Sequence, residues 1–287
     1  MQTIMVATDF SERSERALRR AILLARQFGA SITLVHVVDD DQPRRIVESE
    51  FEAASRLLDE LSGTLADVDG VRCDGQLIVA APFVGIDQAT RDRAPDLLVI
   101  GSHRRQVLRD IFIGTTAERT IRSVSCPVLM VNSPPVGPYR NVLLTTDLSD
   151  NSRSAIERFA SLGIAGRART EVVYVFEARA LGPAMSHTMP KDDKEHRLQG
   201  EREDAALQLS QFMSGYDLEV AEQIARHDTS GPANEILTVA KNTQAGLIVI
   251  GTQGKSGLAR LLLGSVAEEV LRSTTTDVLA VPPNHDQ

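Results

Sequence analysis

Gly246-Leu247-Ile248-Val249-Ile250-Gly251-Thr252-Gln253-Gly254, followed by nine residues and then Gly264-Ser265, is the stretch that decides the fold. An apolar run ends in a glycine loop, and a helix-like segment, Val266-Ala267-Glu268-Glu269-Val270-Leu271, follows. The order reads strand, glycine loop, helix start. Such a loop exposes backbone N–H groups, and a helix start adds partial positive charge. Together they suit a phosphate. The same spacing occurs earlier as Gly101-Ser102-His103-Arg104, nine residues, then Gly114-Thr115. Arg104 stands there where the later copy has Gly254.

The rest of the chain repeats in the same way. Thr3-Ile4-Met5-Val6-Ala7-Thr8-Asp9-Phe10-Ser11 returns as Asn141-Val142-Leu143-Leu144-Thr145-Thr146-Asp147-Leu148-Ser149, an offset of 138 residues (147 − 9). The glycine loops are offset by 150 (251 − 101), so the second copy carries 12 more residues between these landmarks (150 − 138). The polar stretch from Leu181 to Gly200 is the expected place for them. Beyond the loops the copies align without gaps, with Ala117-Glu118 answering Ala267-Glu268 and Val128-Leu129 answering Val278-Leu279. Duplication explains this better than chance.

Each copy alternates strands and helices, which predicts an α/β fold of two tandem domains, 1–133 and 139–287. Each should be a mainly parallel five-stranded sheet with helices on both faces. In the first copy strands are expected at Thr3–Thr8, Ser31–Val38, Val71–Ala80, Leu97–Ile100 and Val128–Val131. Helices are expected at Ser14–Phe28, Glu48–Ala66 and from near Gly114. In the second, strands are expected at Val172–Phe176, Leu218–Ala225, Leu247–Ile250 and Val278–Val281, with helices at Glu201–Met213 and Gly231–Lys241. Right-handed crossovers put both glycine loops at the carboxyl ends of their strands, where open α/β sheets bind ligands. Between the copies, Asn132-Ser133-Pro134-Pro135-Val136-Gly137-Pro138 reads as a stiff, exposed connector.

Composition narrows the function. The 287 residues hold 31 basic and 39 acidic side chains, a net charge of -8, which argues against broad nucleic-acid or anionic-membrane binding. No apolar run reaches the roughly 20 residues of a membrane helix. Cys73 and Cys126 suggest reduced core thiols and a cytoplasmic protein rather than a disulfide framework. Gly254-Lys255-Ser256 looks like the end of a P-loop, but Val249 stands where that motif needs a glycine. No G-x-G-x-x-G opens a helix after either first strand.

What remains resembles the universal stress protein family in its nucleotide-binding branch, over essentially the whole chain and as two tandem copies. The most specific element is G-x-x-G, nine residues, then G-[S/T]. The strand ending in aspartate at each copy's start and Gly231-Pro232 support it. The resemblance implies an adenine nucleotide alpha hydrolase-like fold, with the last strands of the two copies paired into an intramolecular pseudo-dimer. A further homodimer and an unidentified protein partner are also open to it. It further implies ATP, accompanied by Mg2+, held in the second copy. Gly251, Thr252, Gly254, Gly264, Ser265 and Val266 would surround the phosphates, and Asp147 and Val175 the nucleoside. Asp9, Val37, Gly101, Arg104, Gly114 and Thr115 would form a weakened second site, because a side chain at Arg104 opposes the glycine-like backbone by ~1 kcal/mol or more; the rival reading is a retained site with the Arg104 guanidinium on a phosphate.

The function implied is that of a nucleotide-dependent regulator in stress response. The rival classes are an interaction protein that binds no nucleotide and a slow ATPase. No general base, arginine finger or Walker-type metal aspartate can be located for the last. Plainer readings exist for individual residues. Asp147 caps the turn that follows it, and Ser265 caps a helix. His187 and His196 are solvated, His36 and Tyr174 pack, His103 lies exposed in the altered loop, and Asp39-Asp40-Asp41 is a solvated strand end.

Overall fold

Short runs of Val, Ile and Leu flanked by turn residues form the strands. Nearly every residue in the central ones is buried, as expected of a parallel sheet covered on both faces. The computed structural model describes residues 1–102, 116–178, 191–216, 218–254 and 263–283. In the first half β1 (Thr3–Ala7), α1 (Glu12–Phe28), β2 (Ser31–Val38), α2 (Arg44–Asp67), β3 (Cys73–Val79), α3 (Pro82–Arg93), β4 (Leu97–Gly101), α4 (Thr116–Ser123) and β5 (Val128–Val131) follow one another. The second half repeats the plan. Its elements are β6 (Asn141–Thr146), α5 (Asp150–Leu162), β7 (Arg169–Phe176), α6 (Lys191–Met213), β8 (Glu222–His227), α7 (Pro232–Asn242), β9 (Leu247–Gly251), α8 (Ser265–Ser273) and β10 (Asp277–Val281).

The strands form one sheet in the order β3-β2-β1-β4-β5-β10-β9-β6-β7-β8. Neighbours are parallel within each half, and β5 meets β10 antiparallel with Leu129 opposite Leu279. The last strands therefore pair as the resemblance implied. Equivalent residues face each other at the centre, so the halves are related by a pseudo-two-fold axis there. All eight residues from Val128–Val131 and Val278–Val281 are at most 1% exposed. Burying each Val or Leu contributes roughly 1.5–3 kcal/mol, so this seam is core rather than a domain boundary. Because the seam is antiparallel, the carboxyl ends of the two halves' strands lie on opposite rims of the sheet.

Two hydrophobic clusters cover the sheet, and each runs through both halves. One holds Ala17, Leu24, Leu58, Phe159 and Leu209, from α1, α2, α5 and α6. The other holds Ile86, Ile121, Ile236, Val239 and Val270, from α3, α4, α7 and α8. Ser11 and Ser149 cap α1 and α5 by accepting from Ser14 N and Ser152 N, and Gly29 and Gly163 end those helices at φ 66° and 69°.

Several element boundaries differ from the sequence expectation. Helix α2 begins four residues earlier, directly after Pro43, where Arg44 pairs with Glu48 at 2.7 Å. Helix α3, not singled out in the first copy, opens with Pro82 at its first turn, where a missing N–H costs nothing. Strand β8 is Glu222–His227, not Leu218–Ala225. Its register is fixed by pairing with Glu171–Phe176 of β7, while Leu218 and Val220 pack on the first cluster from outside the sheet. Helix α6 reaches back to Lys191, so its polar start occupies part of the expected insertion.

The connector is also less free than its composition suggests. Asn132 N and Ser133 N donate to Asp277 Oδ1 at 2.9 and 3.0 Å, and the Asn132 side chain donates to Thr276 O at 2.7 Å. Pro134, Val136 and Pro138 are nevertheless exposed, Val136 to 98%.

Candidate functional site

Strand order reverses direction between β6 and β9, the neighbours at the switch point of the second half. Ligands bind open α/β sheets outside the carboxyl ends of such strands. Asp147 follows β6 there, and Gly251 ends β9.

Asp147 has two distinct oxygens. Its Oδ1 accepts from Ser149 N at 3.0 Å, Ser149 Oγ at 2.5 Å and Ser152 Oγ at 2.6 Å. This fixes the turn into α5, in which Leu148 takes a left-handed φ of 64°. Its Oδ2 points at the glycine loop. A Cβ added to Gly254 would lie 2.8 Å from Asp147 Oδ2, closer than such contacts occur. Gly254 is thus a glycine because the loop closes on a carboxylate, not because of its φ. Asn151 on α5 donates from Nδ2 to Gly254 O at 3.3 Å and holds the loop from the other side.

The phosphate-side residues divide into two groups. Thr252 N donates to Val281 O at 2.9 Å, and Gly264 N donates to Thr252 O at 2.8 Å. These N–H groups are already engaged, so Thr252 and Gly264 shape the loop rather than face a ligand. The start of α8 is different. Gly264 occupies the cap position and no side chain caps the helix, while Ser265, the first helical residue, is exposed. Ser265 therefore is not the helix cap. Among the described residues, no hydrogen-bond partner is found for the first-turn N–H groups of Ser265 and Val266 or for the Ser265 hydroxyl, the kind of helix start that suits an anion. Glu268 lies in the same first turn, and Arg122 of the other half pairs with it at 3.2 Å, which offsets its charge.

Val175 is half-buried late in β7, with Arg226 of β8 beside it in register. Arg226 Nε donates to Glu235 Oε2 at 2.7 Å; the Glu235 side chain is buried and that of Arg226 is 40% exposed. Glu235 Oε1 also accepts from Thr229 N and Oγ1 and from Ser230 Oγ, at 3.2, 2.5 and 3.0 Å. Hydrogen bonds from Thr229 and Arg226 outweigh burial and hold the Glu235 carboxyl down to about 2. The sequence reading missed this cluster. Its one signal was the longer turn Asp228-Thr229-Ser230-Gly231 before Pro232, against Ala80-Ala81 before Pro82.

The first half is built differently at the matching positions. Asp9 Oδ1 accepts from Ser11 N and Oγ at 3.1 and 2.5 Å, like its counterpart, but Arg13 lies 3.6 Å from Oδ2. Burial raises the Asp9 pKa, yet the bonds from Ser11 and Ser14 and the charge of Arg13 leave it below the ordinary value. A Cβ on Gly101 would sit 2.7 Å from Arg13 O, whereas one on Gly251 would sit 4.0 Å from the equivalent Asn151 O. The helix start therefore crowds the strand end more closely in the first half. Val37 is half-buried on β2. His103, Arg104, Gly114, Thr115 and His187 lie outside the described residues. His36 is fixed by a 2.8 Å contact of Nδ1 with Thr8 O and by the Phe10 ring 4.5 Å away. Among the described residues, no group of three or more His, Cys, Asp or Glu side chains is placed to hold a metal. No helix among them is long and apolar enough to cross a membrane.

A doubly repeated, mainly parallel sheet with a glycine at the strand end and a glycine-capped helix at its switch point defines a class of tandem α/β proteins. Within that class, the universal stress protein family model matches residues 1–132 and again 138–282, and the chain belongs to that family. A universal stress protein of Mycolicibacterium smegmatis is 26% identical over 297 aligned positions, spanning 98% of this chain and 97% of that one. Universal stress protein E of Salmonella typhi is 22% identical, spanning all of this chain and 96% of its own length. The crystal structure of a universal stress protein from Archaeoglobus fulgidus superimposes with a TM-score of 0.69 at 18% identity, covering 99% of this chain and 97% of that one.

Proposed function

We propose that the second half of this chain binds ATP and that the protein acts as a nucleotide-dependent regulator in stress response. The observation that carries the reading is the glycine-capped start of α8 beside Gly254, with Asp147 across the switch point. Phosphates would rest on the N–H groups of Ser265 and Val266 and on the Ser265 hydroxyl, where the helix dipole favours negative charge. Gly251, Thr252, Gly254 and Gly264 would shape the cradle. Asp147 Oδ2 and the backbone of Val175 would meet the nucleoside. The missing Cβ at Gly254, which would otherwise meet Asp147 Oδ2 at 2.8 Å, lets the loop and the carboxylate lie side by side and supports this reading. Mg2+ would be held by phosphate oxygens and water, because this ion keeps much of its hydration and needs few protein ligands.

The first half, 1–133, would bind nucleotide more weakly than the second, 139–287. The closer approach of Arg13 to Gly101 supports this independently of Arg104. Calorimetric titration with ATP and Mg2+ tests the proposal. About one equivalent per chain is expected, as mass action at one intact site requires. No binding at millimolar ATP overturns the reading of the second half. Two equal equivalents overturn that of the first.

A further inference from the structure

The two halves descend from one plan, so each serves as a reference for the other, and they differ sharply beside the second strand of each copy. In the first half Val37 lies beside Ile78 in register. Gly85, the fourth residue of α3, sits so close that a Cβ would lie 2.6 and 2.7 Å from the Val37 methyls and 3.3 Å from Ile78 Cγ2. The space is filled by hydrocarbon and backbone. In the second half Val175 lies beside Arg226 in register, and the fourth residue of α7 is Glu235. A guanidinium replaces the isoleucine, and a buried carboxylate that holds it replaces the glycine.

Such a pair is not there for stability alone. Buried charge is costly to desolvate, and the first half fills the same place with apolar groups at no such cost. The carboxylate engages Nε and leaves the guanidinium plane oriented and 40% exposed. Residues paired in register on parallel neighbours project to the same face, so Arg226 shares the α7 side with Val175 and Ile224. It stands three strands from β9, about 14 Å at the usual strand spacing, which is too far to share the phosphate site at α8.

We propose that Arg226, positioned by Glu235, is a specificity residue for the base of the bound nucleotide, a purine large enough to extend past Val175 to β8. The planar cation lies against the ring face or donates to its edge acceptors, contacts that an ammonium does not reproduce. This rests on the nucleotide reading of the second half.

The test separates the two ends of the ligand by titrating the full chain with ATP and with inorganic tripolyphosphate. Arg226→Lys keeps a cation for Glu235 and so keeps the fold; Arg226→Ile copies the strand residue of the first half and leaves Glu235 its Thr229 and Ser230 donors. Both variants are expected to lose about tenfold or more in ATP affinity while tripolyphosphate binds as it does to the wild type. Unchanged ATP affinity in both variants makes Arg226 a structural ion pair and overturns the inference. An equal loss for both ligands also overturns it, since the effect is then not at the base. Wild-type protein that binds tripolyphosphate as tightly as ATP refutes base recognition and leaves the phosphate site standing. Wild-type protein that binds neither refutes the nucleotide site itself and this inference with it.

Discussion

Arg20 and Asp277, from opposite halves of the chain, lie 3.4 Å apart, Nε to Oδ2, with side chains only 6% and 0% exposed. Helix α1 of the first half is thereby tied to the first residue of β10 in the second. Tyr139 donates its hydroxyl to Asp277 Oδ2 at 2.7 Å, and the guanidinium of Arg20 covers the Tyr139 ring at 4.1 Å. Arg20 Nη1 donates to Gly137 O at 2.6 Å, so the connector is drawn into the same knot. Burial and the neighbouring carboxylate push the Tyr139 hydroxyl well above its ordinary pKa, which keeps it a donor. The pseudo-two-fold counterpart of Asp277 is Pro127, so the knot exists on one side of the seam only.

Asp277→Ala leaves two backbone N–H groups and a phenol without their acceptor and the buried Arg20 guanidinium without its counter-charge. Breaking one partner of a buried pair costs about 3–5 kcal/mol. Urea denaturation should show that loss as a lower midpoint at unchanged slope. A loss below about 1 kcal/mol, the scale of an exposed ion pair, would show that water reaches this site.

Cleavage of the connector should not separate the halves. A protease site placed at the exposed Val136 severs the chain between the residues bound to Asp277 and Tyr139. The two fragments are expected to elute together on a sizing column, because the β5–β10 seam and both hydrophobic clusters are shared. Two separately eluting, folded fragments would contradict a common core.

Gly254→Arg recreates the first copy's residue in the second. Its Cβ would collide with Asp147 Oδ2 and displace the loop from the ligand side. ATP affinity should fall at least tenfold, about 1.4 kcal/mol, while the melting temperature changes little because Gly254 is only half-buried. Calorimetry on wild type and variant decides it, and equal affinities would remove Gly254 from the site.

The Glu235 carboxyl sets a pH dependence with a definite sign. Its pKa falls from the ordinary 4.5 to about 2 in the folded chain. A depressed carboxylate stabilises the fold above the unfolded pKa and loses that contribution as pH falls through the folded value. Stability should therefore drop more between pH 4.5 and pH 2 in wild type than in Glu235→Gln. A carbon-13 titration of the side chain should place its midpoint near 2. A midpoint near 4.5 would mean the cluster around Arg226 does not form.

Much of the fold was legible because duplication made the sequence its own control. Thr3–Ala7 and Asn141–Thr146 match as buried strands, each followed by an aspartate, a left-handed residue and a capping serine. The paired last strands followed from the family resemblance, and Val128–Val131 meets Val278–Val281 in the structure. Strand β8 was misplaced because an edge strand shows weak burial periodicity; its position is set by hydrogen bonds to β7, which leave no local trace.

The sequence by itself determined the repeat, the parallel order within each half, the glycine loops and the break at Arg104. These depend on residue type and spacing along the chain, through strand periodicity, helix caps and the positions of the glycines. Tertiary structure alone decided that Gly254 faces Asp147, that Thr252 spends its N–H on Val281 of β10 and Gly264 its own on Thr252, and that a glycine occupies the cap of α8. It alone brought Arg226 onto Glu235 and Arg20 onto Asp277. Such pairs join residues far apart in sequence or on separate elements. Their worth comes from burial, which only the assembled sheet and its helices create.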